Sequence, residues 1–173
     1  MTEEQLKQIY KYASDITIST FYDSFCAAMA EFEINTPLRQ AAFVAQVGHE
    51  SGEFRYTIEL ASGNDYEGRK DLGNIYPGDG IRFKGRGLIQ ITGRANYAEV
   101  GKALDIDCVN NPHLLQAPVC ACRSAGYFWK KHGLNELADA EEFISITKRI
   151  NGGTTGEAER EQIYMLAKAV LNA

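Results

Sequence analysis

The sequence predicts an all-α domain, and three observations carry that reading. Apolar residues recur at helical spacing through most of the chain, between recognisable start and stop signals. Almost no stretch alternates with the period of two that a half-buried strand shows. The 173 residues are 45% hydrophobic and 24% charged, an ordinary globular balance, so a single core is expected. A chain of this length buries roughly 70% of its unfolded surface and needs no disulfide or metal to fold.

The first helix follows Thr2 and Gln5, a capping-box pair, and sets Leu6, Ile9, Tyr10 and Ala13 on one side. A second is expected from about Thr20, with Phe21, Phe25, Ala28 and Phe32 on its face. Thr36-Pro37 opens a third, since proline suits the first helical position and threonine the cap before it. Its inner row is Leu38, Ala41, Ala42 and Ala45, and it runs into His49-Glu50-Ser51-Gly52-Glu53.

The character changes between residues 62 and 87. Seven of the sixteen glycines fall there, interleaved with Asn64, Tyr66, Arg69, Asn74, Tyr76 and Phe83. A long irregular segment inside a small domain is usually functional, and the aromatic residues argue against disorder. Arg86–Thr92 is read as a short extended stretch, with room for a small hairpin nearby.

Helical spacing resumes after Gly93 with Tyr97, Val100, Gly101 and Leu104. Asn110-Asn111-Pro112 is a turn, and Pro118 starts a helix that carries Val119, Cys122, Gly126 and Trp129 inward until Gly133. Asp139 and Glu142 are expected to cap a helix containing Phe143, Ile146 and Ile150, stopped by Asn151-Gly152-Gly153. The last helix starts near Thr155, with Ile163, Leu166, Ala167 and Val170 on its face. The expectation is a single domain over 1–173 with about seven to nine helices, leaving room for a small helical lobe over 105–133. A monomer is expected.

Several function classes drop out. The net charge of −5 lacks the basic stripe that general nucleic-acid binding needs. No run approaches the roughly 18 apolar residues of a membrane span. Cys120-Ala121-Cys122 is too tight for the usual zinc pair, and no second pair matches it, so no metal or cofactor is expected. His49-Glu50 lacks the second histidine of a zinc-protease helix, position 53 being Glu.

The carboxylates are the better candidates for chemistry. Glu50 lies three residues after Val47 and seven after Phe43, on a partly apolar row. Burial there is expected to favour its neutral, proton-donating form, as a general acid requires. Glu53, one turn further on, is read as a solvated surface residue. Glu59 lies beyond the bend at Gly52, where a gap wide enough for a water is easier to open than on one helix.

Four motifs then carry a resemblance. They are His49-Glu50-Ser51-Gly52, Lys84-Gly85-Arg86-Gly87-Leu88-Ile89-Gln90-Ile91-Thr92, Asn96-Tyr97, and Ile150-Asn151-Gly152-Gly153. In this order and spacing they resemble glycoside hydrolase family 19, which contains chitinases and phage endolysins on a lysozyme-like helical fold. The resemblance runs from about Arg39 to the C-terminus. It implies that Glu50 is the general acid and that His49, Tyr66, Arg86, Gln90, Thr92, Asn96 and Asn151 contact sugar or the attacking water, with Arg86 holding a carboxylate. It also implies that Tyr66, Tyr76, Phe83 or Tyr97 offers a flat face to a pyranose ring. The chain departs from the plant pattern, with Gly52 where those enzymes carry a second threonine and no cysteine-bearing loop after the acid. Phe54-Arg55-Tyr56 and Glu59-Leu60-Ala61-Ser62 resemble the endolysin branch instead, which implies Glu59 as base with Glu67 as the alternative. The implied substrate is peptidoglycan or a chitin-like glycan. Met1–Gln5 lacks the positive start and apolar core of a signal peptide, so the protein is expected to stay in the cytoplasm until released to the periplasm or wall.

Overall fold

A computed structural model describes all 173 residues. Nine α-helices make up the fold: α1 (Glu3–Ile9), α2 (Asp15–Glu31), α3 (Pro37–Ser51), α4 (Asp79–Arg82), α5 (Arg94–Leu104), α6 (Pro118–Lys131), α7 (Leu134–Asp139), α8 (Phe143–Asn151) and α9 (Glu157–Leu171). Short 3-10 turns lie at Asn64–Tyr66, Lys70–Leu72 and Pro112–Gln116. The extended stretch and hairpin expected near residue 86 reduce to two isolated antiparallel bridges, Ile58 with Arg86 and Arg86 with Ile91.

The central element is α3. Every residue from Ala41 to Gly48 is buried, so the helix is enclosed on all sides rather than on one stripe. Its small alanines admit close neighbours, and its most extensive packing is against α9. Thr36 caps it through the Arg39 N–H, Pro37 opens it, and Gly52 in the left-handed region ends it. Phe25, Phe43, Phe54 and Trp129 interlock around it, with ring centroids 5.1–5.2 Å apart.

A second, smaller apolar cluster holds Phe83, Ile91, Tyr97, Val100, Leu104, Cys108 and Leu115. Partly buried Phe32 and Ile89 pack against both clusters and join them. The glycine-rich segment is held by polar bonds rather than by a regular element. Asp79 accepts from the Ile75 and Tyr76 N–H groups and pairs with Arg94, whose Nη2 lies 2.6 Å from Oδ1.

Some element boundaries differ from the sequence reading. Helix α2 starts at Asp15, not near Thr20, because Ser14 accepts the Thr17 N–H as a cap while Ile16 is left facing water. Asp139 does not cap α8. It closes α7 and takes both arms of the Arg39 guanidinium, and Glu142 occupies the cap position of α8 without a side-chain bond. Helices α4 and α7, of 4 and 6 residues, are too short to show a periodicity.

Candidate active site

Two groups of polar side chains flank the α3 terminus and the segment after it. The first is built on α3, α8 and α9. Arg160 is 2% exposed. Its Nη2 donates to Glu50 Oε1 at 2.5 Å, its Nη1 to Gln46 Oε1 at 2.6 Å and its Nε to the Thr155 carbonyl at 3.3 Å. Gln46 in turn donates to Thr147 Oγ1 at 2.7 Å. Gln46 and Glu50 are one helical turn apart, so a single planar guanidinium can hold both. Glu50 Oε2 carries no protein hydrogen bond. Asn151 donates to the same Thr155 carbonyl at 3.3 Å, which brings it into this group with its amide oxygen uncommitted.

This arrangement corrects the expected setting of Glu50. Phe43 and Val47 are both 1% exposed and turn into the core. Glu50 sits at the helix end, half-buried against a guanidinium rather than within an apolar row.

His49 is positioned by α9. Its Nδ1 lies 2.9 Å from Glu159 Oε2, and its ring lies over Gly156. A Cβ on Gly156 would fall 2.3 Å from the ring, and that glycine has φ +72°, so both sterics and backbone favour glycine there. The packing of the ring on Gly156 sets the residue before the acid against the start of α9.

The second group gathers around Gly85. Tyr66 donates through its hydroxyl to Glu59 Oε1 at 2.9 Å, and the Gly85 N–H donates to Glu59 Oε2 at 2.9 Å. The Glu59 N–H returns a bond to the Gly85 carbonyl, also at 2.9 Å. Burial first, and the Glu59 carboxylate second, hold the Tyr66 hydroxyl above the usual phenol range, which keeps it a donor. A Cβ on Gly85 would lie 2.7 Å from Gln90 Oε1 and 3.2 Å from Glu59 Oε2, so glycine lets these two side chains converge. Gln90 itself has φ +56° and donates to the Gly87 carbonyl, leaving its amide oxygen toward Gly85. Thr92 donates to the Gln90 carbonyl, and Asn96 to the Thr92 carbonyl. Gln90, Thr92 and Asn96 line a cavity of about 380 Å³ that also reaches Ile150, the residue before Asn151.

Other expectations change. Arg86 is 5% exposed and holds no carboxylate; its Nη1 donates to the Arg82 carbonyl and to the Tyr97 hydroxyl, both within 2.9 Å. It supports the loop from below and cannot reach a sugar. Phe83 and Tyr97 are fully buried and meet edge to face in the smaller cluster, so neither offers a face to a ring. Burial pushes the Tyr97 hydroxyl up to about 12. Tyr76 is 58% exposed, under the Arg94 guanidinium. Both Glu67 oxygens are committed to the loop backbone, accepting from Gly78 and Gly80 at 2.7 and 2.8 Å. Glu53 is not a solvated surface residue: it is 7% exposed, and its Oε2 accepts from the Tyr12 and Ala13 N–H groups, tying the α1–α2 turn to the end of α3.

The residues that the sequence reading passed over are Arg160, Gln46, Thr147 and Glu159. Their signal was present. Gln46 is the one polar residue inside the run from Ala41 to Val47, and Arg160 falls three residues before Ile163 and seven before Ala167, on the inward face of α9. Polar residues on buried faces need partners.

An all-α lysozyme-like fold that carries the carboxylates of Glu50 and Glu59, with a cavity lined by amides and a hydroxyl nearby in the chain, fits the class of acid–base hydrolases that act on glycans. The family model described as Chitinase class I matches residues 2–138. A glycosyl hydrolase family 19 domain-containing protein of Haemophilus influenzae is 30% identical, covering 95% of this chain and 94% of its own length. An endochitinase of Arabidopsis thaliana is 33% identical over 85% of this chain, but the chain spans only 49% of that protein. Among solved structures, chitinase C from Streptomyces griseus has a TM-score of 0.81 at 23% identity, covering 99% of this chain and 76% of that one. The class IV chitinase of Zea mays has a TM-score of 0.80, also at 23%, covering 100% and 93%. Those two likenesses speak for the fold. The chain belongs to glycoside hydrolase family 19, and it is a chitinase-like glycoside hydrolase.

Proposed function

We propose that this chain is an endolysin that hydrolyses β-1,4 bonds in the glycan strand of bacterial peptidoglycan by single displacement with inversion. Glu50 protonates the leaving oxygen through Oε2, while Arg160 holds Oε1 and keeps the carboxyl aimed. Glu59 activates the water. Its two oxygens each take one bond, from Tyr66 and Gly85, and keep lone pairs for a proton. Gln90, Thr92, Asn96 and Asn151 supply amide and hydroxyl contacts to the sugar and the water, and His49 flanks the acid. Acid–base action of this kind contributes roughly 10²–10⁴ in rate. An inverting pair stands about 6.5–9.5 Å apart to admit that water. The proposal places the protein in the cytoplasm until it is released to the wall, acting as a monomer.

One observation carries the peptidoglycan reading. The segment that presents Glu59 to Tyr66 and Gly85 is Phe54–Ser62, the stretch whose sequence resembles the endolysin branch and departs from the plant pattern. Clearing of permeabilised bacterial cells, with a named reducing-end sugar in the digest by mass spectrometry, tests it. Release from colloidal chitin without any action on sacculi would overturn it. The similarity to plant endochitinases favours a second reading, in which the same groups cut N-acetylglucosamine polymers.

A further inference from the structure

The cavity that Gln90 lines, next to the Gly85 position where it converges with Glu59, has two chemically different ends. Toward Gln90, Thr92 and Asn96 it is neutral, with amides and a hydroxyl. Its other end carries Glu99, Tyr127, Lys131 and His132. Asn96 and Glu99 sit three residues apart on α5, and Tyr127 and Lys131 four apart on α6, so two facing helices present this cluster along one wall.

The bonds within the cluster leave part of it unspent. The Tyr127 hydroxyl donates to Glu99 Oε1 at 2.8 Å, and Lys131 Nζ donates to the same oxygen. Glu99 Oε2 therefore keeps its accepting capacity, and the Lys131 ammonium keeps two of its three donors. The Lys131 ammonium and the Tyr127 hydroxyl hold the Glu99 carboxyl below the usual range, so the acceptor is an anion. His132 Nδ1 is engaged by the Phe128 carbonyl at 2.8 Å, and its ring stacks on Phe128, leaving Nε2 without a protein partner.

A neutral N-acetylated glycan presents only hydroxyls, ether oxygens and acetamides, and the Gln90–Asn96 end already answers those. A peptide stem attached to a muramyl sugar adds carboxylates, amides and, where it contains a diamino acid, an ammonium. We infer that the Glu99–Tyr127–Lys131–His132 end of the cavity binds the peptide stem of the peptidoglycan strand, Lys131 taking a stem carboxylate and Glu99 a stem N–H or ammonium, and so directs the enzyme to stem-bearing glycan. This inference rests on the peptidoglycan reading above and names the part of that substrate the groove selects.

The test uses Lys131→Met and Glu99→Gln with three substrates: stem-bearing glycan strands, the same strands stripped of stems by an amidase, and chitohexaose. Wild-type protein is expected to cleave stem-bearing strands with the highest kcat/KM. Each variant is expected to lose about tenfold on those strands, the size of one charge-assisted hydrogen bond, while staying within about twofold of wild type on the other two, the ratio being the readout of that bond. Equal losses on all three would make the cluster a sugar contact or a structural ion pair and overturn the inference, as would no loss on any. Wild-type cleavage of chitohexaose with none of either strand would overturn the peptidoglycan reading itself. Preference for stripped strands would overturn only the stem.

Discussion

Arg160 and Glu50 are 110 residues apart in sequence and meet side chain to side chain, Nη2 to Oε1, at 2.5 Å. The guanidinium is buried and the carboxylate 22% exposed, so one side of the pair is fixed by the core and the other reaches solvent. Glu50→Gln keeps an oxygen for Arg160 to donate to but cannot deliver a proton. Turnover is expected to fall by at least about 10²-fold, up to roughly 10⁴, while the thermal midpoint stays near that of the wild type. Soluble oligosaccharide release and a thermal melt check both halves. Activity within a few-fold of wild type would remove Glu50 from the acid role.

Arg160→Met is expected to lower stability as well as activity. It leaves the Glu50 carboxylate and the Gln46 amide oxygen without their donor, close to the α3–α9 packing. Removing one partner of a buried pair costs about 3–5 kcal/mol. The partly exposed Glu50 can turn to water, so a loss near the low end, about 3 kcal/mol, is expected in urea denaturation. Activity should fall too, since the acid is no longer aimed. A stable, active variant would show that the core does not depend on this donor.

Glu59 and Glu67 separate by what holds them. Glu59→Gln can keep its amide oxygen on the Gly85 N–H and turn its NH2 to the Tyr66 hydroxyl, which can accept, but it cannot activate water, so activity is expected to fall about 10²-fold or more with little change in folding. Glu67→Gln retains one acceptor for two N–H groups, those of Gly78 and Gly80, and is expected to cost about 1 kcal/mol with turnover within a few-fold. Steady-state rates and urea midpoints on both variants decide. A large rate loss confined to Glu67→Gln would exchange their roles.

The legible parts of this chain were those written in local pattern. The capping pair Thr2–Gln5, the Thr36-Pro37 start and the apolar row of α5 each follow from neighbours a few residues apart, whereas α9 buries Arg160, Tyr164, Ala167 and Leu171, so of its expected row only Ala167 is buried. Glu50, Gln90 and Thr92 stood out because their motifs are contiguous. What the local pattern could not give was long-range pairing. Arg86 looked like a groove residue because it sits inside such a motif, yet Tyr97 and the Arg82 carbonyl draw it inward. Glu53 looked solvated because the N–H groups of Tyr12 and Ala13, some 40 residues away, are invisible along the helix. The apolar setting expected for Glu50 failed for the same reason, because its partner comes from α9.

The loop that carries the groove wall depends on pH through Asp79. The Arg94 guanidinium beside it, aided by the Tyr76 and Ile75 N–H groups, holds its carboxyl below the usual carboxylate range, against the opposing effect of burial. Because the folded-state value is the lower one, this contribution is fully present above the unfolded value, about 4. It is lost as pH falls through the folded value. Protonation of Asp79 releases Arg94, whose N–H also donates to the Asn74 side chain, and loosens the turn at Ile75 and Tyr76. Asp79→Asn cannot titrate. It is expected to be less stable than wild type at pH 6 and to lose less further stability between pH 5 and pH 2, so the two urea midpoints converge on acidification. Parallel pH profiles for the two proteins would mean that the ion pair contributes nothing through this group.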